Sequence, residues 1–294
     1  MRAAVMRAFG GPEVVEVTET EVPEPSAGQV RIKVAAATLN PIDAAIRSGA
    51  FGGGDQRLGL GWDVAGTVEA TGDAGVWNVG DQVVALHYGM AKPLGSHAEY
   101  AVLDADHVAK APATVDAAEA ATLPLNALTA AQALDALELT PGQSLLVTGA
   151  AGALGGFAVQ LAAHRGIAVT GLAREGDEEL VRFLGATGFT THGGGPYDAV
   201  LDAAVLGDAA LAWVRDAGAY VGVIPQGEPA SVRGVRTASV LVRPDGARLA
   251  ELARLVDEGV LTLRVAETFA LDDAAKAHAR LAEGGLRGRL VLVP

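Results

Sequence analysis

The sequence contains no cysteine, and this absence excludes several kinds of chemistry. Disulfide bonds, a thiol nucleophile and a zinc site built from thiolates each need a cysteine side chain. Long apolar runs are also missing: none approaches the ~18 residues of a membrane-spanning helix, and the N-terminal MRAAVMRAFG is too short in apolar residues for a signal peptide. We therefore expect a protein of the reducing cytoplasm with no membrane partner.

Positive charge is scarce as well. The chain has 22 lysines and arginines against 35 aspartates and glutamates, which gives a formal net charge of -13. A surface of this sign repels nucleic acid and anionic lipid, so neither is expected as a partner. The length of 294 residues predicts two domains, at about 150 residues per domain.

The most informative stretch is residues 144–163, which has the pattern strand, glycine turn, helix. Leu145–Val147 form a short apolar run typical of a strand buried on both faces, and the segment after Gly155 is typical of a helix lying on a sheet. The turn between them is Gly149-Ala150-Ala151-Gly152-Ala153-Leu154-Gly155. Small residues let the backbone approach a pyrophosphate, and the helix N-terminus offers N–H groups. We predict a dinucleotide site here; the alternative is an ordinary turn, because Ala150 takes the first slot of G-x-G-x-x-G.

The chain changes character twice. Up to about residue 110, short strands recur at roughly ten-residue spacing and predict a small β-barrel domain. Within that domain, Gly52-Gly53-Gly54 predict a loop. A helical stretch broken by Pro124 follows Asp116. After it, strands and helices alternate as in a doubly wound parallel sheet. The last segments, after Gly259, return to the first type, so we predict domains at 1–112 with 262–294 and at 113–261.

The alternating region yields definite element predictions. The predicted strands are Ser144–Thr148, Ala168–Leu172, Ala199–Asp202, Tyr220–Ile224 and Ser239–Val242. The predicted helices are Gly156–Ala163, Glu178–Phe183, Ala209–Val214 and Arg248–Glu258. Asp202 ends its strand at the edge where open α/β sheets bind ligands, so we expect it near the cofactor.

Arg174 decides which nucleotide is expected. NAD enzymes place an acidic residue ~20 positions after the glycines to hold the ribose hydroxyl. That position is Ala173-Arg174 here, 19 residues after Gly155 (174 − 155), and it carries an arginine in place of a carboxylate. A guanidinium suits a 2′-phosphate, so Ala173 and Arg174 predict NADPH. The neighbouring Glu175 argues the other way, and the alternative is that Arg174 is a solvated loop arginine.

The sequence offers few candidates for a catalytic acid or base. Tyr88 follows the apolar run Val83–Leu86 in a loop that should face the cleft, and its phenol could donate a proton. The alternative is a half-buried tyrosine at the barrel rim, and His87 is a weaker candidate. Asp43 is interpreted as a helix cap, and Trp62 and Asp63 as packing and turn residues.

Several short motifs occur in a familiar order along nearly the whole chain. They are Asn40-Pro41-Ile42-Asp43, Gly61-Trp62-Asp63-Val64-Ala65-Gly66, Val79-Gly80-Asp81-Gln82-Val83, Ala98-Glu99-Tyr100, Ala121-Thr122-Leu123-Pro124, Leu128-Thr129-Ala130, Gly149–Gly155, Tyr197–Asp202 and Arg287–Leu292. In these the sequence resembles the medium-chain dehydrogenase/reductase superfamily, and within it the zinc-independent quinone oxidoreductase-like branch. The resemblance implies an α/β fold with a GroES-like β-barrel catalytic domain and a Rossmann doubly wound parallel-sheet domain.

The resemblance also implies a metal-free reaction. Zinc-dependent members hold their metal with a cysteine and a Gly-His-Glu motif, where this sequence has Asn40 and Gly61-Trp62-Asp63. What remains is hydride transfer from NADPH to an acceptor that is already activated by conjugation, a quinone or an α,β-unsaturated carbonyl. Relatives are often homodimers or tetramers, and we expect a homodimer here. Its two copies could pair edge to edge through Thr237–Val242, and the alternative is that this segment is an ordinary strand.

Site roles follow from the same resemblance. Ala151–Leu154 would lie against the pyrophosphate, with Gly149, Ala150, Gly152 and Ala153 in the same turn. Asn40 would sit beside the nicotinamide and the substrate, and Thr129 near the nicotinamide or the phosphates. The backbone at Val223, Ile224 and Pro225 would contact the nicotinamide amide.

Two other functions stay open at this point. One is a regulatory protein that binds NADPH without turnover, which is compatible with the scarcity of acid and base candidates. The other is an enoyl-thioester reductase, which the acidic composition disfavours because a carrier's phosphates need basic residues. The sequence does not identify the acceptor, whose pocket we expect around Asn40, Phe51 and Tyr88.

Overall fold

The computed structural model describes residues 1–52, 57–73 and 75–294. Two compact units are present: Met1–Leu125 with Pro244–Asp257 and Leu263–Pro294, and Asn126–Arg243 with Glu258–Thr262. Of the predicted loop glycines, Gly53 and Gly54 lie outside the described residues. No helix in the described part of the chain has the length and apolar character needed to span a membrane.

The described residues form strands in both units. In chain order they are β1 Arg2–Met6, β2 Glu16–Glu19, β3 Gln29–Leu39, β4 Leu58–Gly59, β5 Asp63–Gly72, β6 Gln82–Leu86, β7 Tyr100–Asp104, β8 Val108–Lys110, β9 Ser144–Thr148, β10 Ala168–Leu172, β11 Gly188–Thr190, β12 Tyr197–Asp202, β13 Val214–Gly222, β14 Arg236–Ser239, β15 Val265–Ala270 and β16 Arg289–Val293. The α-helices are α1 Pro41–Arg47, α2 Ala117–Ala120, α3 Pro124–Leu137, α4 Ala153–His164, α5 Glu178–Phe183, α6 Asp208–Leu211, α7 Gly246–Asp257 and α8 Ala274–Glu283.

The first unit is built on two β-sheets. One has the strand order β2-β1-β4, and the other runs β15-β16-β3-β5-β6-β8 with β7 paired to β3. Alternate residues of β3, β5 and β6 point into one apolar core that includes Val30, Ile32, Val68 and Val83. Gly66 of β5 pairs with Val34 of β3 beside an irregularity in the pairing, and a Cβ there would stand 2.1 Å from the Lys33 carbonyl oxygen. The alternating pattern therefore gives the GroES-like β fold that was predicted.

The second unit contains a six-stranded parallel sheet. Its order is β11-β10-β9-β12-β13-β14, and each neighbouring pair is parallel. The order reverses between β9 and β12, so the carboxyl ends of these two strands form the switch point where such sheets bind ligands. Leu146, Val200 and Tyr220 pack in its core. The predicted doubly wound sheet is confirmed.

Three element predictions were wrong near the end of this sheet. The predicted helix Ala209–Val214 ends early, because Val214 is buried and pairs with Tyr197 as the first residue of β13. The predicted strand Tyr220–Ile224 correspondingly ends at Gly222. The predicted strand Ser239–Val242 lies earlier, as β14, because the buried Val235 leads directly into the pairing with β13.

The helical stretch is interrupted just before Pro124, as predicted, whereas the compact units differ from the predicted domain boundaries. Helix α2 ends at Ala120 and Pro124 opens α3, in keeping with its lack of an N–H to donate. The compact units assign residues 113–125 and 244–257 to the first unit, whereas the predicted boundaries place both with the second. Helix α7 explains the second difference, since Gly246 packs so closely on the β8 region that a Cβ would lie 2.5 Å from the Val108 carbonyl oxygen.

Candidate active site

Asn40 lies at the junction of β3 and α1, in the first unit. Its backbone N–H donates to Asp43 Oδ2 at 2.8 Å, and Asp43 Oδ1 accepts the Gly61 N–H at 2.8 Å. Asp43 therefore caps α1 and also joins it to the segment that leads into β5, so the predicted helix cap is confirmed.

The Asn40 side chain belongs to a buried polar network. Its Nδ2 donates to Asp63 Oδ2 at 2.6 Å, and its Oδ1 accepts from Arg289 Nη2 at 2.7 Å. Asp63 also accepts the Thr38 hydroxyl and, at 2.5 Å, the Leu125 N–H. Asn40 and Asp63 are each 0% exposed, so the amide of Asn40 bridges a buried carboxylate and a buried guanidinium.

Burial makes the charges of Asp63 and Arg289 costly, and the hydrogen bonds and opposite charges around them offset that cost. Burial raises the pKa of Asp63, while the hydrogen bonds from Thr38, Leu125 and Asn40 and the charge of Arg289 oppose that rise. Burial likewise lowers the pKa of Arg289, against the charges of Asp63 and Asp43. Three donors aimed at Asp63 suit an ionised carboxylate, which only accepts hydrogen bonds.

Sequence reasoning missed Asp63 and Arg289. Asp63 was interpreted as a turn residue, although it opens β5, and Arg289 opens the apolar strand β16. The available signal was a charged residue immediately before a short buried apolar run, Val64-Ala65 in β5 and Leu290–Leu292 in β16. The predicted direct contact of Asn40 with substrate stays a prediction, since its side chain is covered in this structure.

The residues at the zinc positions of the family do not fit a metal. Asn40 and Asp63 direct their oxygens to protein donors, and Trp62 has no ligand atom suited to zinc. Within residues 1–52, 57–73 and 75–294, one group of side chains has metal-like spacing, namely Asp104, Asp106 and His107. Two of the three are exposed acids, which are common at surfaces without an ion.

Tyr88 follows β6 and lies beside the Trp62 ring. The two rings meet edge to face, with centroids 5.4 Å apart and an interplanar angle of 88°. Trp62 is 2% exposed and Tyr88 is 36% exposed, so the phenol reaches solvent from a buried support. Burial, together with the charges of Lys92 and His107, lowers the pKa of His87 well below its usual value, so its ring stays neutral and His87 is a weaker candidate for proton donor than Tyr88.

The glycine turn of the second unit joins β9 to α4. Gly149 has φ +60°, and a Cβ on Gly155 would lie 2.2 Å from the Gly149 carbonyl oxygen. Ala150 is fully buried and gives its N–H to the Leu172 carbonyl oxygen, so it packs within the turn. Helix α4 begins with Ala153 and Leu154, and its N-cap is Gly152. Because Gly152 has no side chain, nothing from this residue covers the first N–H groups of the helix. This turn has the form that a pyrophosphate needs.

Arg174 lies just past the end of β10, which pairs with β9. It is exposed, and the described part of the chain gives its side chain no ion pair or hydrogen bond. The neighbouring Ala173 donates its N–H to Thr190 of β11, which fixes the backbone at the strand end. An exposed guanidinium at the tip of the second strand is the arrangement predicted for a 2′-phosphate.

The remaining predicted cofactor residues lie in the second unit in different settings. Asp202 is 1% exposed and accepts four hydrogen bonds, from the Thr148 hydroxyl, the Leu206 and Gly207 N–H groups and the Tyr220 hydroxyl. Its carboxylate thus holds the ends of neighbouring strands together, and it has little hydrogen-bonding capacity left for a ligand. Thr129 is buried on α3.

Val223, Ile224 and Pro225 directly follow β13, next to β12. The structure therefore brings the glycine turn, Arg174, Asp202 and this segment to the carboxyl ends of adjacent parallel strands, while Asn40 and Tyr88 belong to the other unit. Their contacts with a cofactor stay predictions.

Comparison with known proteins agrees with this arrangement. Residues 26–113 match the family described as alcohol dehydrogenase GroES-like domain, and residues 178–292 match the one described as zinc-binding dehydrogenase. The chain is 30% identical to a quinone oxidoreductase of Pseudomonas aeruginosa, with 98% of each covered. It is 36% identical to the chloroplastic NADPH-dependent alkenal/one oxidoreductase of Arabidopsis thaliana, over 81% of this chain and 66% of that protein.

A solved structure shows the same likeness. The quinone oxidoreductase from Coxiella burnetii superposes with a TM-score of 0.90 at 29% identity, over 100% of this chain and 99% of the other. A GroES-like unit and a parallel-sheet unit with a glycine turn define the class of medium-chain dehydrogenases. The chain belongs to the medium-chain dehydrogenase/reductase superfamily, in its quinone oxidoreductase-like branch.

Proposed function

We propose that this protein is an NADPH-dependent oxidoreductase that reduces quinones or α,β-unsaturated carbonyl compounds. The observation that carries the proposal is the pairing of the glycine turn after β9 with the exposed Arg174 after β10, on neighbouring strands. The names of the relatives, a quinone oxidoreductase and an NADPH-dependent alkenal/one oxidoreductase, support the acceptor class and the cofactor.

The residues of the second unit fit the cofactor. Gly149 and Ala151–Leu154 would hold the pyrophosphate. Gly155 keeps the turn in this shape, because a larger side chain there would displace it. Arg174 would hold the 2′-phosphate through charge-assisted hydrogen bonds. Thr129 and the backbone at Val223–Pro225 are proposed to hold the nicotinamide end. When bound, NADPH supplies a hydride from its nicotinamide ring.

The proposed reaction uses no metal. A quinone or an enone is already electrophilic, so it needs no Lewis acid to accept a hydride. The network around Asn40 supports this part of the proposal, because Asp63 and Arg289 occupy its polar atoms. We assign Asn40 and Asp63 the role of positioning residues that fix the end of β3 and the start of α1.

Tyr88 is the proposed proton donor. Its ring is exposed at the surface of the first unit and is supported from behind by Trp62. After hydride transfer to an enone, the α-carbon takes up a proton. After hydride transfer to a quinone, an oxygen takes up the proton. The Tyr88 hydroxyl or solvent can donate it in both cases. Positioning accounts for most of the rate in such a reaction, which agrees with the scarcity of other acids and bases.

A turnover assay tests the proposal. The purified protein is mixed with NADPH and a panel of quinones and enones, and the loss of NADPH absorbance is followed. We expect turnover with at least one acceptor and a slower rate with NADH. Tight NADPH binding with no turnover for any acceptor would contradict the enzyme and support a protein that only senses NADPH.

Homodimer formation and a cytoplasmic location belong to the same proposal. Strand β14 is the last in the order of the six-stranded sheet, so its outer edge can pair with a second copy. Leu241, which follows it, is 45% exposed. The cysteine-free composition is compatible with a reducing compartment.

A further inference from the structure

Lys92 is a buried lysine that the proposed reaction does not yet use. It lies between β6 and β7 and is 7% exposed. Its Nζ donates to the Gly61 carbonyl oxygen at 2.7 Å and to the His87 carbonyl oxygen at 2.6 Å. Nζ also stands 4.6 Å from the centroid of the Trp62 ring. An ammonium removed from water is costly, so its surroundings must compensate, and two carbonyls and an aromatic face do so here.

The two carbonyls belong to the two segments that enclose Trp62. Gly61 directly precedes Trp62, and the His87 N–H donates to the Trp62 carbonyl oxygen at 2.6 Å. Lys92 therefore ties the segment before β5 to the segment after β6, at the point where Tyr88 leaves the sheet. Gly89, next to Tyr88, also packs on the Lys92 side chain, since a Cβ there would lie 3.0 Å from Lys92 Cγ.

The aromatic contacts continue outward in one direction. Lys92 lies over the Trp62 ring, and Trp62 meets the Tyr88 ring edge to face at 5.4 Å. Lys92 and Trp62 are both buried, at 7% and 2% exposure, whereas Tyr88 at the outer end is 36% exposed. Tyr88 thus rests on a ring whose position is fixed from inside by a lysine.

We propose that Lys92 is a positioning residue for the reductase: it holds the Trp62 ring and, through that ring, the hydroxyl of Tyr88 at the substrate pocket. This role rests on the proposed function, and it acts through Tyr88 without contact between Lys92 and the substrate.

The charge of Lys92 provides a way to observe the contact. Burial lowers its pKa to about 7, against the charges of Asp43 and Asp63, which raise it. Asp43, Asp63 and His87 are the titratable groups that face it. The neutral amine keeps two N–H bonds for the two carbonyls, but it loses the attraction between cation and ring. The environment of Trp62 should therefore change near neutral pH.

A double-mutant cycle tests the role in catalysis. Lys92→Met is expected to lower kcat by about 10-fold, because small displacements of a reacting group reduce rate steeply. The affinity for NADPH should stay unchanged, since its proposed residues lie elsewhere. In the Tyr88→Phe background the same substitution should cost much less, because the hydroxyl that Lys92 positions is already gone. Lys33→Met, at an exposed lysine of β3, is the matched control and should leave kcat unchanged.

Fluorescence gives a readout that is independent of turnover. In a Trp77→Phe/Trp213→Phe background Trp62 is the single tryptophan, since the chain has three. Its emission should titrate with a midpoint near pH 7, and Lys92→Met should abolish that transition. Lys92→Gln keeps an N–H donor and replaces Lys92→Met if circular dichroism shows that the latter does not fold.

The outcomes separate the two proposals. Two outcomes would overturn the role of Lys92 while leaving the proposed function intact. One is an active wild type together with a folded Lys92 variant that keeps the full kcat. The other is a loss of kcat on substitution of Lys92 that is equal with and without the Tyr88 hydroxyl. Failure of both Lys92 variants to fold would show that the lysine is structural and would also overturn it. No turnover in the wild type would overturn the proposed function and this role with it, while the fluorescence titration would still report whether the Lys92–Trp62 contact exists.

Discussion

At the scale of single residues, Asn40, Asp63 and Arg289 form a buried hydrogen-bond network that includes positions where zinc-dependent relatives bind their metal. Zinc-dependent members of the family have a cysteine at the position of Asn40 and a Gly-His-Glu motif at the position of Gly61-Trp62-Asp63, whereas Arg289 comes from a distant strand. Here a buried amide bridges a buried carboxylate and a buried guanidinium, and Thr38 and Leu125 donate further hydrogen bonds to the carboxylate. Such a network is stable only when complete, because a lone buried charge is costly.

Removal of Arg289 tests the network. We expect Arg289→Met to lower the free energy of unfolding by about 3–5 kcal/mol, since it leaves Asp63 as a buried charge without its countercharge. Urea denaturation measures the loss. Arg215→Met is the matched control, because Arg215 pairs with Asp198 at 52% side-chain exposure and should contribute about 1 kcal/mol or less. A similar small loss for both variants would contradict the network's importance.

Arg174 carries the cofactor prediction at the same scale. Arg174→Ala should weaken NADPH binding by about 10- to 100-fold, since a charge-assisted hydrogen bond contributes about 1.5–3 kcal/mol. NADH binding should not change. Nicotinamide fluorescence titration measures both affinities. Arg182→Ala is the control, because Arg182 pairs with Glu178 on α5. An unchanged NADPH affinity in Arg174→Ala would assign the 2′-phosphate to another group.

At the scale of elements, the unit of β9, glycine turn and α4 is the part that sequence predicted best. The apolar strand and the small residues of the turn have one compatible geometry, in which Gly155 packs on the Gly149 carbonyl. The local pattern was therefore sufficient for β9 and β10, whereas α4 begins three residues before the predicted helix and ends one residue after it.

Gly155 provides the test at this scale. Gly155→Ala places a methyl group 2.2 Å from a backbone oxygen that cannot rotate away. We expect the turn to shift, and NADPH affinity to fall by at least about 10-fold, or about 1.4 kcal/mol. Gly176→Ala, where a Cβ meets no atom within 4 Å, should bind NADPH like the wild type. Equal affinities for all three proteins would remove the glycine turn from the cofactor site.

Other elements were not predictable from local sequence. The bounds of β13 and β14 depend on which residues pair across the sheet, as Val214 with Tyr197 and Ala219 with Arg236 show. The roles of Asp63, Lys92 and Arg289 depend on partners between 23 and 249 positions away, or on carbonyls of other segments. Contacts of this kind leave only a weak trace in sequence, a charged residue within an apolar surrounding.

At the scale of the whole molecule, acid stability should reflect the histidines whose pKa is lowered by burial, and His278 is one of them. His278 of α8 is 0% exposed, and burial together with the charges of His97 and Arg47 lowers its pKa to about 3. In the unfolded chain the same group titrates near ~6.5, so between these values the unfolded state binds more protons. Its contribution to stability is therefore complete above about pH 6.5 and falls by up to about 1.4 kcal/mol per pH unit below that.

Urea denaturation between pH 7 and pH 5 measures this dependence. His278→Leu should flatten the slope by up to one proton, whereas His192→Leu, at an exposed histidine, should leave it unchanged. Equal slopes in wild type and His278→Leu would show that His278 does not govern acid stability.

The central claim concerns the chemistry of the whole molecule, the transfer of a hydride from NADPH to a conjugated acceptor. The most direct measurement is the mass and position of label in the product when a simple enone is reduced with NADPH in which both hydrogens at the nicotinamide C4 are replaced by deuterium. We predict a saturated ketone with one deuterium on the former β-carbon, formed only with protein present. A product without deuterium, or no product despite bound NADPH, would contradict the assignment.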